Sequence, residues 1–415
     1  MRPQAQHHVF PNGVTLLLDR MEDVRSAAFS FLIPAGCAYD PPHHNGTASI
    51  LSELLTRGAG DRSSRELTTA LDNLGLDRSE SVGSYHVRIW GATLSRHLHS
   101  ALEIYADILQ RPHLPQDELE FVRALAMQDL LALEDSPGQK LGIELRKRYL
   151  PSPLSNERRG TEEGIQQITA EKIREHFQKH FHPQDVILSV AGNVEWEPLI
   201  DVVNRLFGDW SGGERQEIQF GDEVDNPGHI DKDTTQTWIS MACPGVPIGH
   251  PDYYSARGAV GVLSGGMSAR LFTEVREKRA LCYSVRASYL SFKDRAHVLG
   301  FASSTNERAQ ETLDVMLSEM ARLRDGIEQE EVDRMKAGLK SSLIMQQEST
   351  SSRAGALASD WFYLGRVRTF EELQQAIDSL SPQSILAYLE EHPLEDFVVV
   401  TLGPEKLIAP NRLIA

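Results

Sequence analysis

Apolar residues between Asn45 and Gly58, in the stretch NGTASILSELLTRG, follow the spacing of an amphipathic helix. Isoleucine or leucine occupies positions 50, 51, 54 and 55, which share one side of a helix. The other side carries Ser49, Ser52 and Glu53. The pattern therefore predicts a helix with one apolar and one polar face.

Other segments divide into alternating and helical patterns. Residues 13–19 and 26–33 alternate and predict two strands that pair with each other. Residues 79–85 and 86–94 together fit a hairpin or a meander. Further helices are predicted at 65–74, 98–109, 117–133, 170–180 and 196–207, and a further strand at 186–191.

The second half of the chain repeats the order of the first. The pattern of His86 to Leu130 recurs in His297 to Leu343, and that of Ile168 to Gly192 recurs in Leu380 to Gly403. Both pairs are offset by roughly 210 residues. Two matches in the same order indicate tandem copies of one domain.

Runs of strands separated by pairs of helices predict an α+β fold. Each domain is expected to have a mainly antiparallel sheet with helices packed on one face. The predicted domains are 1–210 and 234–415. The polar, glycine-bearing stretch 211–233 has no clear period and is interpreted as the linker.

Composition excludes several partners. The chain has 42 Lys and Arg against 59 Asp and Glu, a formal charge of -17, and such a surface repels nucleic acid phosphates. No run of eighteen apolar residues is present to span a membrane. The start has no apolar signal segment, so a cytoplasmic location is expected, or the periplasm if the sequence was trimmed. Cys37, Cys243 and Cys282 are interpreted as buried or incidental thiols.

Several motifs resemble those of the pitrilysin, or insulinase-like, zinc peptidases, and the resemblance covers nearly the whole chain. The motifs are FPNGVTLLLD, PAGCAYDPPHHNGTASILSELLTRG, EDSP, GGMSARLFTEVREKRALCYSV and QESTSSRAGALASDWFYLGR. The resemblance implies two homologous domains in one subunit. It also implies that two subunits, or a fused double-length chain, close around a peptide chamber.

Active subunits of that family have HxxEH on the first-domain helix and a later glutamate as third zinc ligand. The matching positions are Ser49, Ser52 and Glu53, and the later one falls at or next to Asp129. The sequence thus departs from the motif at every helix position. Serine is a poor zinc ligand, and Ser52 has no group that could act as general base. No metal is expected in this chain, and zinc is expected in a partner subunit.

The second-half motif is intact. Arg276 and Tyr283, spaced as RxxxxxxY, match the arginine and tyrosine that the family's second domain presents to the active site. A tyrosine hydroxyl can donate to the oxyanion that forms during peptide hydrolysis, and an arginine can hold a substrate carbonyl. We expect Arg276 at the end of a helix over Ala269 to Glu277 and Tyr283 in the next strand. Composition alone leaves two alternatives open: Arg276 is a solvated surface residue, and Tyr283 serves only in packing.

The leading hypothesis is a non-catalytic subunit of a heterodimeric zinc metallopeptidase, inactive alone. A homologous HxxEH subunit would supply zinc, general base and an edge strand for the peptide, while this chain donates Arg276 and Tyr283. The alternative is a structural or assembly subunit without peptidase role. A third hypothesis is a rebuilt metal site that uses His43, His44 and Glu53, although adjacent histidines cannot easily face one metal. Glu53 and Asp129 could also form a carboxylate pair.

Overall fold

The computed structural model describes residues 5–214 and 216–409. These form two compact units. The first contains the described residues of segments 1–132, 151–222 and 345–367, and the second those of 133–150, 223–344 and 368–415.

Strands and helices follow the chain in this order. The strands are β1 Gln6–Val9, β2 Thr15–Arg20, β3 Ser26–Ile33, β4 Gly58–Ala59, β5 Arg62–Ser63, β6 Asp77–Val82, β7 Val87–Leu94, β8 Ile187–Gly192, β9 Gly228–Asp231, β10 Gln236–Gly245, β11 Cys282–Ser291, β12 Ala296–Thr305 and β13 Val398–Gly403. The α-helices are α1 Thr47–Leu55, α2 Ser64–Asn73, α3 Leu98–Gln110, α4 Leu119–Ala132, α5 Pro137–Tyr149, α6 Glu162–Gln167, α7 Ala170–His180, α8 Trp196–Phe207, α9 Tyr253–Ser264, α10 Ala309–Ala321, α11 Gln329–Glu348, α12 Thr350–Leu364, α13 Phe370–Asp378 and α14 Pro382–Glu391.

The first unit is built on a six-stranded sheet with the order β1-β2-β8-β3-β7-β6. Every neighbouring pair is antiparallel except β2 with β8. The predicted hairpin is confirmed as β6 and β7. The predicted pairing of the first two long strands, β2 and β3, is wrong, because β8 lies between them. Every residue of β8 is buried, and a strand without a polar face is stable only at the centre of a sheet.

The second unit has a five-stranded sheet with the order β11-β12-β10-β13-β9. Its one parallel pair is β13 with β9, which corresponds to β8 with β2 in the first unit. The other pairs are antiparallel. The same strand order and directions therefore occur twice, and the predicted α+β fold with two tandem, mainly antiparallel domains is confirmed.

Each sheet has a helix on its second face, which the sequence pattern did not predict. In the first unit, α12 packs on β2, β3 and β8, with Leu357 and Ala358 against Leu17 and Ile187. In the second unit, α5 packs on β10 and β13. Each covering helix comes from the opposite half of the sequence. The covered strands have apolar residues on both faces, so the second face must also be shielded from water.

The described residues of the stretch 211–233, interpreted as a linker, include a strand. Residues Gly228–Asp231 form β9 and pair in parallel with β13. Their side chains are only partly buried, so the pairing depends on the neighbouring strand rather than on hydrophobic alternation. The domain boundaries 1–210 and 234–415 stay predictions. The three cysteines are buried thiols.

Over the described residues, no helix combines the length and the apolar character that crossing a bilayer requires.

Candidate functional site

A buried carboxyl group holds the first turn of α1. Asp40 accepts hydrogen bonds from the backbone N–H groups of Gly46 at 2.7 Å and Ala48 at 2.8 Å. Burial raises the pKa of Asp40 to about 7, against the opposing effect of the two N–H donors. Gly46 has a φ of 109°, and a Cβ there would lie 2.9 Å from the Ile165 side chain. The start of the helix is therefore fixed by residues outside the zinc motif positions.

The motif positions lie on α1 as predicted, but they differ in exposure. Glu53 is exposed and Ser49 is half-buried, whereas Ser52 is only 6% exposed. The predicted polar face is thus partly buried, because α1 packs against β6 and α4. Asp129 is exposed on α4. Because α4 packs against α1, the two helices that carry the four motif positions are in contact.

The residues present do not fit a zinc ion at this place. Two of the three helix positions offer only hydroxyl groups, and a stable zinc site needs three or four imidazole, thiolate or carboxylate ligands. Within residues 5–214 and 216–409, no three His, Cys, Asp or Glu side chains converge at α1. No step of peptide hydrolysis can therefore be assigned to a metal held by this helix.

The ligand atoms of the hypothetical rebuilt site with His43, His44 and Glu53 do not converge either. His43 is exposed, and His44 Nδ1 lies 2.9 Å from the carbonyl oxygen of Pro42. In the described part of the chain, neither histidine joins Glu53 in a group with metal-ligand spacing.

Two buried polar groups of the first unit, one of them on the strand that packs against α1, were not found by sequence reasoning. Burial, and secondarily the charge of Glu53, raises the pKa of the Glu80 carboxyl on β6. Burial also raises the pKa of the Tyr105 hydroxyl, and the negative charge of Glu80 raises that pKa further. Among the described residues, Glu80 Oε1 and the Tyr105 hydroxyl have no hydrogen-bond partner. The alternation of β6 could have indicated Glu80, but no motif indicates Tyr105.

The edge of the first sheet lies beside this helix. β6 is its terminal strand, and no other described strand pairs with its outer side. A cleft of about 450 Å³ opens between β6, α2 and the end of α1, and Arg57, Arg78 and Asp77 are among its lining residues. An unpaired strand edge can bind an extended peptide through backbone hydrogen bonds.

Arg276 and Tyr283 lie together in the second unit. The Arg276 guanidinium carbon is 5.0 Å from the centre of the Tyr283 ring and 4.8 Å from that of Phe272. Arg276 belongs to a π-helical turn, Phe272–Glu277, rather than to a longer α-helix. Tyr283 follows in β11, as predicted. The sequence spacing therefore corresponds to a direct contact.

A backbone irregularity places the tyrosine. The register of β11 against β12 shifts between Cys282 and Ser284, which leaves Tyr283 as the extra residue of a β-bulge. The Tyr283 side chain is 77% exposed. Because it packs into no core, its hydroxyl is accessible to a substrate.

The Arg276 guanidinium also keeps its donors available. Among the described residues, no carboxylate lies within 4.0 Å of it, whereas the neighbouring Lys278 and Arg279 both pair with Glu274. Burial raises the pKa of the Cys282 thiol to about 11, and the nearby Arg276 charge opposes that effect. The pair can therefore offer a hydroxyl and a planar fork of N–H donors to one bound peptide.

Comparisons with known proteins agree with the repeated fold. The family model described as insulinase (peptidase family M16) matches residues 15–162, and the model described as peptidase M16 inactive domain matches residues 167–339. The chain is 25% identical over 396 residues to the uncharacterized zinc protease YmxG of Bacillus subtilis, covering 95% of this chain and 97% of that protein. It is 24% identical over 398 residues to an uncharacterized zinc protease of Rickettsia bellii, with coverages of 95% and 97%.

Two solved structures share the fold over almost the whole chain. A peptidase M16 inactive domain from Pseudomonas fluorescens superimposes with a TM-score of 0.90 at 21% identity, covering 98% of this chain and 100% of that one. A protease from Helicobacter pylori gives 0.89 at 20% identity, with coverages of 97% and 100%. With two models of one family matching in tandem on a shared fold, this chain belongs to the M16, or insulinase and pitrilysin, peptidase family.

Proposed function

We propose that this chain is a non-catalytic subunit of a heterodimeric zinc metallopeptidase. A homologous subunit with an intact HxxEH helix would hold the zinc and the general base. This chain would form the other half of a peptide chamber and donate Arg276 and Tyr283 to the partner's site. The curated relatives carry the name zinc protease, whereas α1 of this chain lacks the histidines and the base.

One observation carries the proposal: Arg276 and Tyr283 are in contact and available to a ligand, while the motif positions of α1 cannot bind zinc. Exposed cation–π contact stabilises the folded chain by only about 0.5 to 1 kcal/mol. Such a small contribution does not account for a π-helical turn and a β-bulge placed around two accessible polar groups. Both irregularities are frequent next to active sites.

The chemistry of peptide hydrolysis has a use for each group. As water attacks the carbonyl carbon, negative charge develops on the carbonyl oxygen, and the Tyr283 hydroxyl can donate to it. The Arg276 fork can hold a neighbouring carbonyl or a carboxylate and keep the peptide in register. Neither role requires a metal ligand from this chain.

The test combines this chain with candidate HxxEH partners and measures peptide cleavage. Tyr283→Phe is expected to lower kcat about 10² to 10³-fold with little change in KM, because one oxyanion donor is removed. Arg276→Ala is expected to raise KM as well. Arg286→Ala is the matched control, since Arg286 is also exposed on β11 and stacks on an aromatic ring, Phe301, at 4.6 Å.

The outcomes separate the hypotheses. Full activity of the Tyr283→Phe and Arg276→Ala complexes would remove the donated-residue role. Complex formation without cleavage by any partner would favour the structural or assembly subunit. Peptide cleavage by this chain alone, blocked by a zinc chelator, would contradict the interpretation of Ser49 and Ser52.

A further inference from the structure

Three metal-ligating side chains converge in the second unit, far along the sequence from the zinc motif positions. His250 and Asp252 lie in the turn that precedes α9, and His392 lies directly after α14. One ligand atom from each residue lies within 4.8 Å of the other two. All three side chains are partly exposed, so an ion can reach them from solvent.

The spacing of two of these atoms is close to that of ligands on one ion. His250 Nδ1 lies 3.6 Å from Asp252 Oδ2. Two ligand atoms on a tetrahedral zinc ion, each about 2.0 to 2.2 Å from the metal, are about 3.3 Å apart. No two ligand atoms of the cluster are more than 4.8 Å apart, which is at most about 1.5 Å beyond this value, and side-chain rotation can close that difference.

Local contacts restrict these side chains but leave their ligand atoms able to bind an ion. Asp252 is the N-cap residue of α9, yet its carboxylate accepts no capping hydrogen bond from that helix. His250 Nδ1 accepts a 3.2 Å hydrogen bond from the Asp252 N–H, and a metal ion could take the place of that donor. The His392 ring packs on Tyr388, at 5.2 Å between ring centres, and Tyr388 is 2% exposed. A buried neighbour thus restricts the orientation of His392.

The helices that carry the ligands are already in contact. α9 packs directly against α14 in the core of the second unit. The backbone turn before α9 is fixed by the hydrogen bond from the His250 N–H to the Pro247 carbonyl, at 2.9 Å. An ion bound here would add a cross-link between two elements whose backbones do not have to move.

We propose that His250, Asp252 and His392 form a binding site for one divalent transition-metal ion, with zinc as the expected ion. Two imidazoles and one carboxylate suit zinc, which prefers nitrogen ligands and tolerates one oxygen. Three protein ligands leave a fourth position for water. The site would tie the start of α9 to the end of α14 and stabilise the second unit, independently of the proposed peptidase role.

The experiment uses the full chain, stripped with a chelator and then titrated with Zn²⁺ by calorimetry. One equivalent of zinc is expected to bind and to raise the thermal unfolding midpoint, since the ion binds the folded state. His392→Gln and His250→Gln are expected to abolish both effects. Co²⁺ provides a second measurement, because its visible absorption indicates tetrahedral coordination by nitrogen and oxygen.

Matched controls separate this site from other histidines. His99→Gln, a half-buried histidine on α3, and the double variant His43→Gln/His44→Gln are expected to bind zinc as the parent chain does. If a histidine variant misfolds, Asp252→Asn in the Co²⁺ experiment tests the same site. The proposal is overturned if the parent chain binds no zinc, since the residues then form only an imidazole–carboxylate contact. It is also overturned if zinc binding survives in His250→Gln/His392→Gln.

Discussion

The ion pair that anchors α12 to the first sheet gives a prediction whose size follows from burial. Arg353 Nε donates to Asp19 Oδ2 at 2.6 Å, and a second guanidinium nitrogen contacts the same oxygen. The side chains are only 12% and 7% exposed. Asp19→Ala removes the carboxylate and leaves the guanidinium buried without its partner. Removing one member of a buried pair costs about 3 to 5 kcal/mol.

Hydrogen–deuterium exchange of the α12 amides measures the local effect. The chain has two units, so one global unfolding free energy is not well defined. Each 1.36 kcal/mol corresponds to a factor of ten, so a cost of about 3 to 5 kcal/mol in Asp19→Ala is expected to accelerate α12 exchange about 150- to 5,000-fold. Glu103→Ala is the control, because its pair with Arg205 is exposed at 45% and 62% and should change stability by less than about 1 kcal/mol.

The double variant tests the stated cause. If the stranded charge of Arg353 is responsible, Asp19→Ala/Arg353→Met should recover most of the lost protection, because an apolar side chain fits the covered sheet. Equal exchange rates in Asp19→Ala and the double variant would refute this reasoning. So would an Asp19→Ala chain that exchanges like the Glu103→Ala control.

Two further predictions concern the frame of α1 and a buried histidine. Gly46→Ala is expected to destabilise the first unit by about 1 to 3 kcal/mol, because φ is 109° and the new Cβ would crowd Ile165, and exchange of the α1 amides should accelerate accordingly. Burial lowers the pKa of His297 to about 4, so the unfolded chain binds more protons than the folded chain between about pH 4 and 6.5. The resulting stability is present above pH 6.5 and falls by up to about 3 kcal/mol towards pH 4. Urea unfolding of the second unit should therefore depend less on pH in His297→Gln, and an unchanged slope would contradict this assignment.

Local elements followed closely from the sequence, whereas strand neighbours did not. The helix at 196–207 and the strand at 26–33 have the predicted bounds. Each of these segments packs against one core, so its own sequence shows the corresponding hydrophobic periodicity. The position of β8 between β2 and β3, and the covering of each sheet by a helix from the other half, depend on contacts between distant segments. Apolar strands buried on both faces have no period that identifies their neighbours.

The candidate site was predictable only where a motif identified it. Arg276 and Tyr283 came from the resemblance, and their contact agrees with the spacing of the motif. Asp40 was not predicted, because an aspartate seven residues before the first residue of a helix is usually a turn residue. The buried state of Ser52 was also missed, because helical periodicity cannot separate a solvent-facing polar side from one packed against a strand.

The position of α1 in the fold and the zinc chemistry of the family motif depend on different residues. Asp40, Gly46 and the apolar side of α1 hold the helix in place, and none of them would ligate a metal in the family's motif. The chemistry would require three other side chains on the polar side, so it can be absent without disturbing the fold. Around Arg276 and Tyr283 the relation is different, since the π-helical turn packs into the core through Val275, whereas the side chains of Arg276 and Tyr283 do not belong to that core. Irregular backbone is frequent where it positions a functional group, and this asymmetry supports a subunit that completes a partner's active site rather than a passive scaffold.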